Sequence, residues 1–575
     1  NELKELIAFD LNSDFQNPKF VETVQNQNLH GLSSSDLIIV SHPDFLSYAN
    51  QLADFHKTHD QLKVTLVSTE SIYNEFSSGT VDVSAIRNFV KMFYDRALTE
   101  EEIPKYLLLF GDGSYDNKLI STYNTNKIPT YQSVYSLSPT QSFVTDDFFG
   151  LLDDNEGKAS GLVDIGIGRL PVNSTEQAQV VTSKILSYNK SESLGKWQTS
   201  LSFIGDDEDN NIHMRDANRL AIQIEGSNPE YRIHRIFLDD FIQVSTSAGD
   251  RYPEVNRKIK DNINKGCLII NYTGHGNENG LAQERIMMLE DIDSWQNENR
   301  LPLFMTATCE FSRFDQYEKI SGGERVLLRD NGGGIGLFTT TRLVYSTPNF
   351  YLNQNFYNHV FSTDSNDESL RLGDIMRLTK NSSGSSNNKR NFTLLGDPAL
   401  KLNYPNENIT SLKLNDVNIN EFPDTLKAYR KITISGQIED INSQKLNQFN
   451  GTLYPIVFDK LSDKTTLGND ESPFEYQEQN NVLYSGKASI NNGEFRFSFL
   501  VPKDINYEYG NGKILYYAKN NTNTAKGYTD NIIVGGSDIN NLNDKIGPEI
   551  ELYMNDEQFV NGGATNESPL LLALV

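Results

Sequence analysis

Short apolar runs alternate with amphipathic helical segments over roughly the first 400 residues, and this alternation constrains the fold more than any other feature. Such runs are typical of strands buried on both faces of a parallel sheet, and helices between them indicate βαβ units. The pattern predicts strands at 36–40, 62–67, 106–110, 163–171, 201–204, 231–237, 267–272, 303–308 and 334–338. It predicts helices near 43–59, 82–98, 174–192, 213–225, 253–265, 348–361 and 368–381. We therefore expect an α/β fold with a parallel sheet.

The pattern restarts near residue 200, so we expect two α/β subdomains side by side, at 36–195 and 196–404. Beyond them, alternating strands and frequent turn residues predict an immunoglobulin-like β-sandwich at 405–545. Residues 1–35 are interpreted as the remnant of an upstream domain, and 546–575 as the start of a truncated further β domain. The chain begins with Asn1 and ends in an apolar run, which favours a fragment of a longer protein.

The net charge of −26 excludes non-specific binding to nucleic acid as a main function. No apolar run approaches the roughly 18 residues that span a bilayer, so a membrane link would need a missing segment or a partner. Two cysteines in 575 residues also exclude a disulfide-rich scaffold.

The two cysteines are predicted to lie at opposite ends of their strands. Cys267 opens one strand and Cys309 follows the end of another, which separates parallel neighbours by roughly 20 Å at ~3.3 Å per residue. A disulfide requires Cα atoms within about 7 Å. Cys267 is therefore interpreted as a small core residue, and a disulfide between the two is the alternative.

A histidine and a cysteine follow two of the predicted strands. His275 lies in the stretch NYTGHG (271–276), and Cys309 comes 34 residues later. Side chains at the carboxyl ends of neighbouring parallel strands meet at one crevice. A thiol beside an imidazole is the minimal equipment of nucleophilic catalysis, and backbone N–H groups after such a strand can stabilise an oxyanion. The alternative is a turn histidine and an inert buried thiol.

Other residues at the predicted strand ends offer further binding groups. Glu310, Thr340 and Arg342 could line a substrate pocket, or they could belong to plain strand-to-loop junctions. Arg342 could contact a substrate carboxylate or pair with an acid such as Glu310. Asp112, Asp147 and Asp153 lie in acid-rich loops whose oxygens suit Ca²⁺, although none has EF-hand spacing and ordinary turns explain each loop as well.

Four stretches together resemble the gingipain family of cysteine peptidases. They are 163–171, 271–276, Ala307-Thr308-Cys309 and Leu394-Leu395-Gly396-Asp397-Pro398, and the resemblance covers roughly residues 36–403. It implies a caspase-like fold in which Cys309 is the nucleophile and His275 the general base. One departure is that Cys309 follows Ala307-Thr308 rather than an alanine directly.

The resemblance also implies roles for neighbouring residues. The N–H groups of Gly276 and Cys309 match the family's oxyanion donors. The family places an acid after the strand that corresponds to 201–204, and both Asp207 and Asp206 fit this position. The alternative is that these residues belong to an ordinary solvated acidic turn. The chemistry requires no cofactor, and family members often carry structural calcium.

Three further stretches, 73–87, 205–214 and 547–563, resemble the sortases of type IX secretion more than the secreted gingipains. This implies a bacterial enzyme on the extracellular face of the outer membrane, held by a partner such as PorV. Its substrates would be secreted proteins with a C-terminal signal domain, and the acceptor would be an anionic lipopolysaccharide. Two alternatives remain: a secreted protease of broad hydrolytic activity, and a non-catalytic surface docking module.

Overall fold

A ten-stranded sheet forms the centre of the protein. Its strands are β1 (Leu37–Ser41), β2 (Val64–Ser68), β3 (Tyr106–Phe110), β4 (Gly166–Leu170), β5 (Ser200–Gly205), β6 (Arg232–Phe237), β7 (Ile269–Thr273), β8 (Leu303–Ala307), β9 (Gly336–Thr340) and β10 (Phe392–Leu395). The computed structural model describes residues 23–538 apart from 136, 158–159 and 422–423, and also residues 10, 19–20, 551–555, 559, 565 and 569–574.

The strand order is β2-β1-β3-β4-β10-β9-β8-β7-β5-β6. Every neighbouring pair is parallel except β9 and β10. Each of the nine predicted strands is present. The observed ends differ from the predicted ends by no more than three residues. Only β10 was missed, and this antiparallel strand joins the two halves into one sheet.

Helices cover the faces of the sheet. They are α1 (Leu46–Thr58), α2 (Thr69–Phe76), α3 (Val83–Arg96), α4 (Thr175–Ser187), α5 (Glu208–Ser227), α6 (Pro253–Lys265), α7 (Leu289–Asp293), α8 (Gly322–Leu328), α9 (Ser346–His359) and α10 (Leu372–Ser382). The seven predicted helices are present, and the short α2, α7 and α8 were not predicted. Because both faces are covered, β1, β3, β4, β7, β8 and β9 are buried along their whole length.

Two glycines of β4 let the central elements approach closely. A Cβ on Gly166 would lie 2.6 Å from the backbone of Gly373 at the start of α10. A Cβ on Gly168 would lie 2.3 Å from the carbonyl of Gly396, just after β10. These contacts explain the glycines of the 163–171 stretch, because any side chain there would push α10 and β10 away from the sheet.

Asp397 links the end of β10 to helix α1. Its Oδ2 lies 2.8 Å from Nε2 of His56, and both side chains are fully buried. On the other side of the ring, Nδ1 of His56 lies 2.5 Å from Asp60. The 394–398 stretch therefore contributes a buried histidine–carboxylate network to the fold.

Residues 407–537 form an all-β domain, as expected. Its larger sheet contains Glu407–Leu414, Val417–Asn418, Lys431–Glu439, Gly451–Phe458, Val482–Ser485, Ala488–Asn491, Glu494–Leu500, Lys513–Lys519 and Thr524–Thr529, and a smaller sheet contains Thr425–Ala428, Gly510–Asn511 and Ile533–Ser537. The larger sheet closes on itself because Glu407–Leu414 also pairs with Thr524–Thr529. The domain is therefore more barrel-like than an open sandwich.

A hairpin of this domain reaches the catalytic half of the protein. Its strands are Ser462–Thr465 and Glu475–Glu478. In the loop between them, the backbone N–H groups of Gly468 and Asn469 donate to the carboxylate of Asp239, at 2.7 and 2.6 Å. The hairpin therefore docks against the segment that follows β6.

Smaller strand pairs lie outside these sheets. They are Tyr131–Gln132 with Val144–Thr145, Val244–Thr246 with Gly249–Arg251, Gly276–Asn277 with Gly280–Leu281 and Met287–Met288, and Glu551–Met554 with Leu571–Leu574. Much of the predicted upstream remnant and of the predicted final β domain lies outside the described residues. Within the described residues, no helix has the length and apolar character needed to cross a bilayer.

Candidate active site

The sheet register brings His275 and Cys309 to the same edge. Thr273, at the end of β7, is the direct partner of Ala307, at the end of β8. His275 and Cys309 each follow two residues later. The two loops touch, since a Cβ on Gly276 would lie 2.6 Å from Oγ1 of Thr308. The pairing of the two strands therefore places the loops of His275 and Cys309 side by side, and the meeting of imidazole and thiol stays a prediction.

The Cys309 thiol is held by a backbone carbonyl. Its Sγ lies 3.6 Å from the carbonyl oxygen of Val344, to which the thiol donates. Burial raises the pKa of Cys309, and the negative charge of Glu310 raises it further. Among the described contacts no hydrogen bond joins Cys309 to His275. The thiol must therefore turn from Val344 toward the imidazole before it can react.

The backbone of His275 is held on both sides. Its N–H donates to Oδ2 of Asp206 at 2.8 Å. Its carbonyl accepts from the hydroxyl of Tyr272 at 2.6 Å and from the N–H of Ala282 at 2.9 Å. These bonds fix the loop, whereas the imidazole keeps 41% of its side-chain surface exposed.

The imidazole ring contacts two acids of the segment after β5. Nε2 of His275 lies 3.0 Å from Oδ2 of Asp209 and 3.6 Å from Oε2 of Glu208. On its other side, the ring meets that of His213 edge-to-face, with centroids 5.1 Å apart. Burial lowers the pKa of His213 to about 4, so this neighbour is neutral.

The two acids predicted to orient His275 have other partners. Asp206 holds the backbone N–H of His275 and not its ring, and Asp207 accepts a 2.5 Å bond from the hydroxyl of Tyr252. The sequence prediction was wrong by two positions for Asp207 and by three for Asp206, because Asp209 is the acid that reaches the ring. The reason is a left-handed turn at Asp209 (φ 59°), which sequence periodicity does not reveal.

The two predicted oxyanion donors lie close together. Gly276 packs on Thr308, the residue before the nucleophile. Within the described part of the chain, the N–H of Cys309 has no hydrogen-bond partner, so it is available to a substrate oxygen. This arrangement is compatible with the predicted role, which remains a prediction.

Two of the three predicted substrate residues, Glu310 and Arg342, line a cleft, and Thr340 supports the loop of Cys309. Thr340 is fully buried, and its hydroxyl donates to the carbonyl of Thr308. Arg342 forms two bonds to Asp315, at 2.7 and 2.5 Å, so its guanidinium pairs with this acid and the predicted pairing with Glu310 was wrong. Arg342 lines the same cleft as Glu310, and its contact with a substrate carboxylate stays a prediction.

Glu310 borders a cleft next to Cys309. The cleft has a volume of about 620 Å³ and is also lined by Tyr115, Leu137, Phe143 and Arg313. Glu310 faces Arg313, with 3.5 Å between the charged atoms. The cleft therefore combines aromatic and aliphatic surface with both signs of charge, as an extended peptide segment would require.

The three residues predicted to bind calcium differ in their fit. Asp112 is buried and accepts from the N–H of Gly113 at 2.9 Å, and it belongs to none of the clusters of metal-ligating side chains among the described residues. Asp147 is neutralised by Lys380 at 2.5 Å and Arg390 at 2.9 Å. Asp153 offers an oxygen within 4.8 Å of oxygens from Glu156 and Asp164, which is compatible with a cation.

The largely parallel sheet, with histidine and cysteine after neighbouring strands, defines a cysteine peptidase of the caspase-like class. The sequence pattern of peptidase family C25 matches residues 30–403, well over half of the chain. The protein therefore belongs to peptidase family C25, the gingipain family.

Solved structures of this family include similar chains. The dimeric latent PorU from Porphyromonas gingivalis is 27% identical over 96% of this chain and 48% of that chain, with a TM-score of 0.44. The Arg-specific gingipain R (RgpB) is 17% identical over 89% of this chain and 100% of that chain, with a TM-score of 0.51, which supports the fold. The protein spans about half the length of the PorU chain. Comparison with curated protein sequences gave no significant match.

Proposed function

We propose that this protein is a cysteine endopeptidase and transpeptidase that removes C-terminal signal domains from secreted proteins. It transfers each cargo protein to an anionic lipopolysaccharide on the extracellular face of the outer membrane. The observation that supports the chemistry is the pairing of Thr273 with Ala307, which brings the loops of His275 and Cys309 to the same edge of the sheet. The proposed partners are cargo proteins of type IX secretion and an outer-membrane protein such as PorV.

The first half-reaction forms a thioester. The thiol of Cys309 leaves the carbonyl of Val344 and gives its proton to His275, and the thiolate attacks the scissile carbonyl. The N–H groups of Gly276 and Cys309 stabilise the oxyanion. Each such donor contributes roughly 3–4 kcal/mol in the subtilisin precedent. The imidazolium then gives the proton to the departing amine, and the signal domain leaves.

The second half-reaction decides between hydrolysis and transfer. An acceptor amine or a water molecule attacks the thioester, His275 takes its proton, and Cys309 leaves as a thiol. Carboxylates of Glu208, Asp209 and Glu310 border the pair and favour the approach of an amine, which is cationic before it loses its proton. The stretches 73–87, 205–214 and 547–563 support a sortase role over that of a secreted protease.

The test is a cleavage reaction with a cargo protein that carries its C-terminal signal domain. The protein and its Cys309→Ala variant are incubated with this cargo, with and without an amine acceptor, and the new carboxyl ends are identified by mass spectrometry. An acceptor-joined product that requires Cys309 is the expected result.

Other outcomes separate the alternatives. Free carboxyl ends alone, at every acceptor concentration, would leave a hydrolytic protease. No Cys309-dependent cleavage, together with slow and equal alkylation of both cysteines, would leave a docking module.

A further inference from the structure

Three buried carboxylates meet behind the catalytic histidine. Asp206 and Asp207 follow β5, and Glu284 lies in the turn after Gly280–Leu281, which pairs with the loop of His275. They are 0, 1 and 4% exposed. Each offers one carboxylate oxygen, and these three oxygens all lie within 4.8 Å of one another. Such proximity requires an explanation, because like charges repel strongly in a buried place.

The hydrogen bonds around this cluster leave one oxygen of each residue without a partner. Oδ2 of Asp206 accepts from His275, and Oδ2 of Asp207 accepts from Tyr252. The second oxygens, Oδ1 of Asp206, Oδ1 of Asp207 and Oε2 of Glu284, are buried and have no hydrogen-bond partner among the described residues. Buried polar atoms nearly always have partners, so an orphan oxygen on each of three adjacent residues indicates a missing ligand.

The surroundings of the cluster add negative charge. Burial raises the pKa of all three carboxyls, to about 7 for Asp206, 6 for Asp207 and 8 for Glu284. The neighbouring charges that contribute most to these shifts all belong to other carboxylates, among them Glu208. No lysine or arginine is among these main contributors, in contrast to Asp147 with its two cationic partners.

We propose that Asp206, Asp207 and Glu284 bind a divalent cation, Ca²⁺ in preference to Mg²⁺, behind the catalytic site. The donors are all oxygens, which are the ligands of hard cations. Ligands on opposite sides of Ca²⁺ lie up to about 5 Å apart, since each bond is 2.3–2.6 Å long. One oxygen from each of the three carboxylates supplies one face of the coordination sphere, and water supplies the rest.

The cation would act on catalysis through Asp206. One oxygen of this carboxylate faces the proposed site and the other holds the N–H of His275 at 2.8 Å. A bound cation fixes the position of Asp206, and through the hydrogen bond to its N–H it fixes the loop of His275. Asp206 is thus a positioning residue, and the proposal stands independently of which acceptor the enzyme uses.

Terbium luminescence tests the site on the 575-residue chain after treatment with a chelator. Tb³⁺ replaces Ca²⁺ at oxygen sites and emits when an excited tyrosine lies beside it. Tyr252 and Tyr272 adjoin the proposed ligands. We expect saturable tyrosine-sensitised emission that Ca²⁺ quenches at lower concentration than Mg²⁺, and a Ca²⁺-dependent rise in Tm.

Glu284→Gln keeps the shape of the side chain and removes its charge. We expect it to weaken Tb³⁺ binding about 10-fold or more, because cation affinity follows the number of charged ligands. Asp207→Asn should do the same. The matched control is Asp153→Asn, at the surface cluster with Glu156 and Asp164, where Tyr94 could also sensitise emission.

Each outcome of this experiment decides the proposal. Emission that survives Asp153→Asn and falls in Glu284→Gln supports it. Emission that falls only in Asp153→Asn would place the cation at the surface cluster and overturn it. Absence of emission, or equal binding by all variants, would also overturn it. These readouts do not depend on catalytic activity, so they are separate from a failure of the proposed function.

Discussion

The Nε2 of His275 lies 3.0 Å from the Oδ2 of Asp209, and this contact depends on an unusual backbone. Asp209, Asn210 and Asn211 all have left-handed φ values, 59°, 57° and 60°. Each such residue costs about 1–2 kcal/mol relative to ordinary helix. The 466–474 hairpin loop braces the turn, since the side-chain amide of Asn211 donates to the carbonyl of Ser472 at 2.6 Å. Strain supported in this way is typical of functional sites.

Asp209→Asn should lower kcat about 10-fold with little change in KM, because the charge that orients and stabilises His275 in its protonated form is lost. Steady-state kinetics on a peptide substrate measures this. The matched control is Glu208→Gln, whose carboxylate lies farther from the ring, at 3.6 Å, and whose effect should be smaller. Equal effects of the two variants would contradict the assignment of Asp209.

Alkylation should distinguish the two cysteines. Cys309 is half-buried and Cys267 is 1% exposed, so iodoacetamide should modify Cys309 first. The rate should increase with pH, because the thiolate is the reactive form and burial raises the pKa of Cys309. Mass spectrometry measures the modification.

Cys309→Ala should reduce cleavage at least about 10³-fold. Cys267→Ala is the control and should retain activity; comparable losses in both variants would refute Cys309 as the nucleophile.

Asn469→Ala should weaken the docking of the hairpin. Its side-chain amide donates to Asp239 and to the carbonyl of Phe241, both at 2.9 Å. We expect a loss of about 1–2 kcal/mol in stability and a several-fold fall in kcat, measured by thermal denaturation and kinetics. Asn442→Ala, on the exposed surface of the same domain, is the control. A fall in Tm with unchanged kcat would show that the hairpin has no part in positioning Asp209.

The His56–Asp397 pair should make stability depend on pH. Burial alone lowers the pKa of His56, but Asp397 and Asp60 outweigh it and raise this pKa to about 9 from 6.5. The folded state therefore binds the proton more tightly than the unfolded state. The stabilisation is complete below pH 6.5 and is lost as pH rises through 9.

Asp397→Asn keeps the shape of the side chain and should remove most of this dependence. Breaking a buried pair costs about 3–5 kcal/mol. The difference in Tm between the parent and the variant should be larger at pH 6 than at pH 9.5. A difference that is the same at both values would contradict a charged His56.

The strands of the sheet could be predicted from the sequence because burial on both faces leaves continuous apolar runs such as 106–110. The placement of His275 and Cys309 at one edge of the sheet could be predicted from the same pattern, because each residue comes just after such a run. Strand β10 could not be predicted, because four residues carry too little signal to separate a strand from a loop. Asp209 and Glu284 were missed because a left-handed turn and a contact across loops decide their positions.

Strand β10 also sets the order in which the protein can fold. It is the last of the ten strands in the chain, yet it lies between β4 and β9, and Leu395 pairs with both Leu337 and Arg169. Until residue 395 is available, the two halves present unpaired strand edges that invite pairing with other chains. Contacts between such distant residues also form slowly. A growing chain therefore contains His275 and Cys309 before the sheet is complete, so the two halves of the sheet cannot join until the segment up to residue 395 has been added.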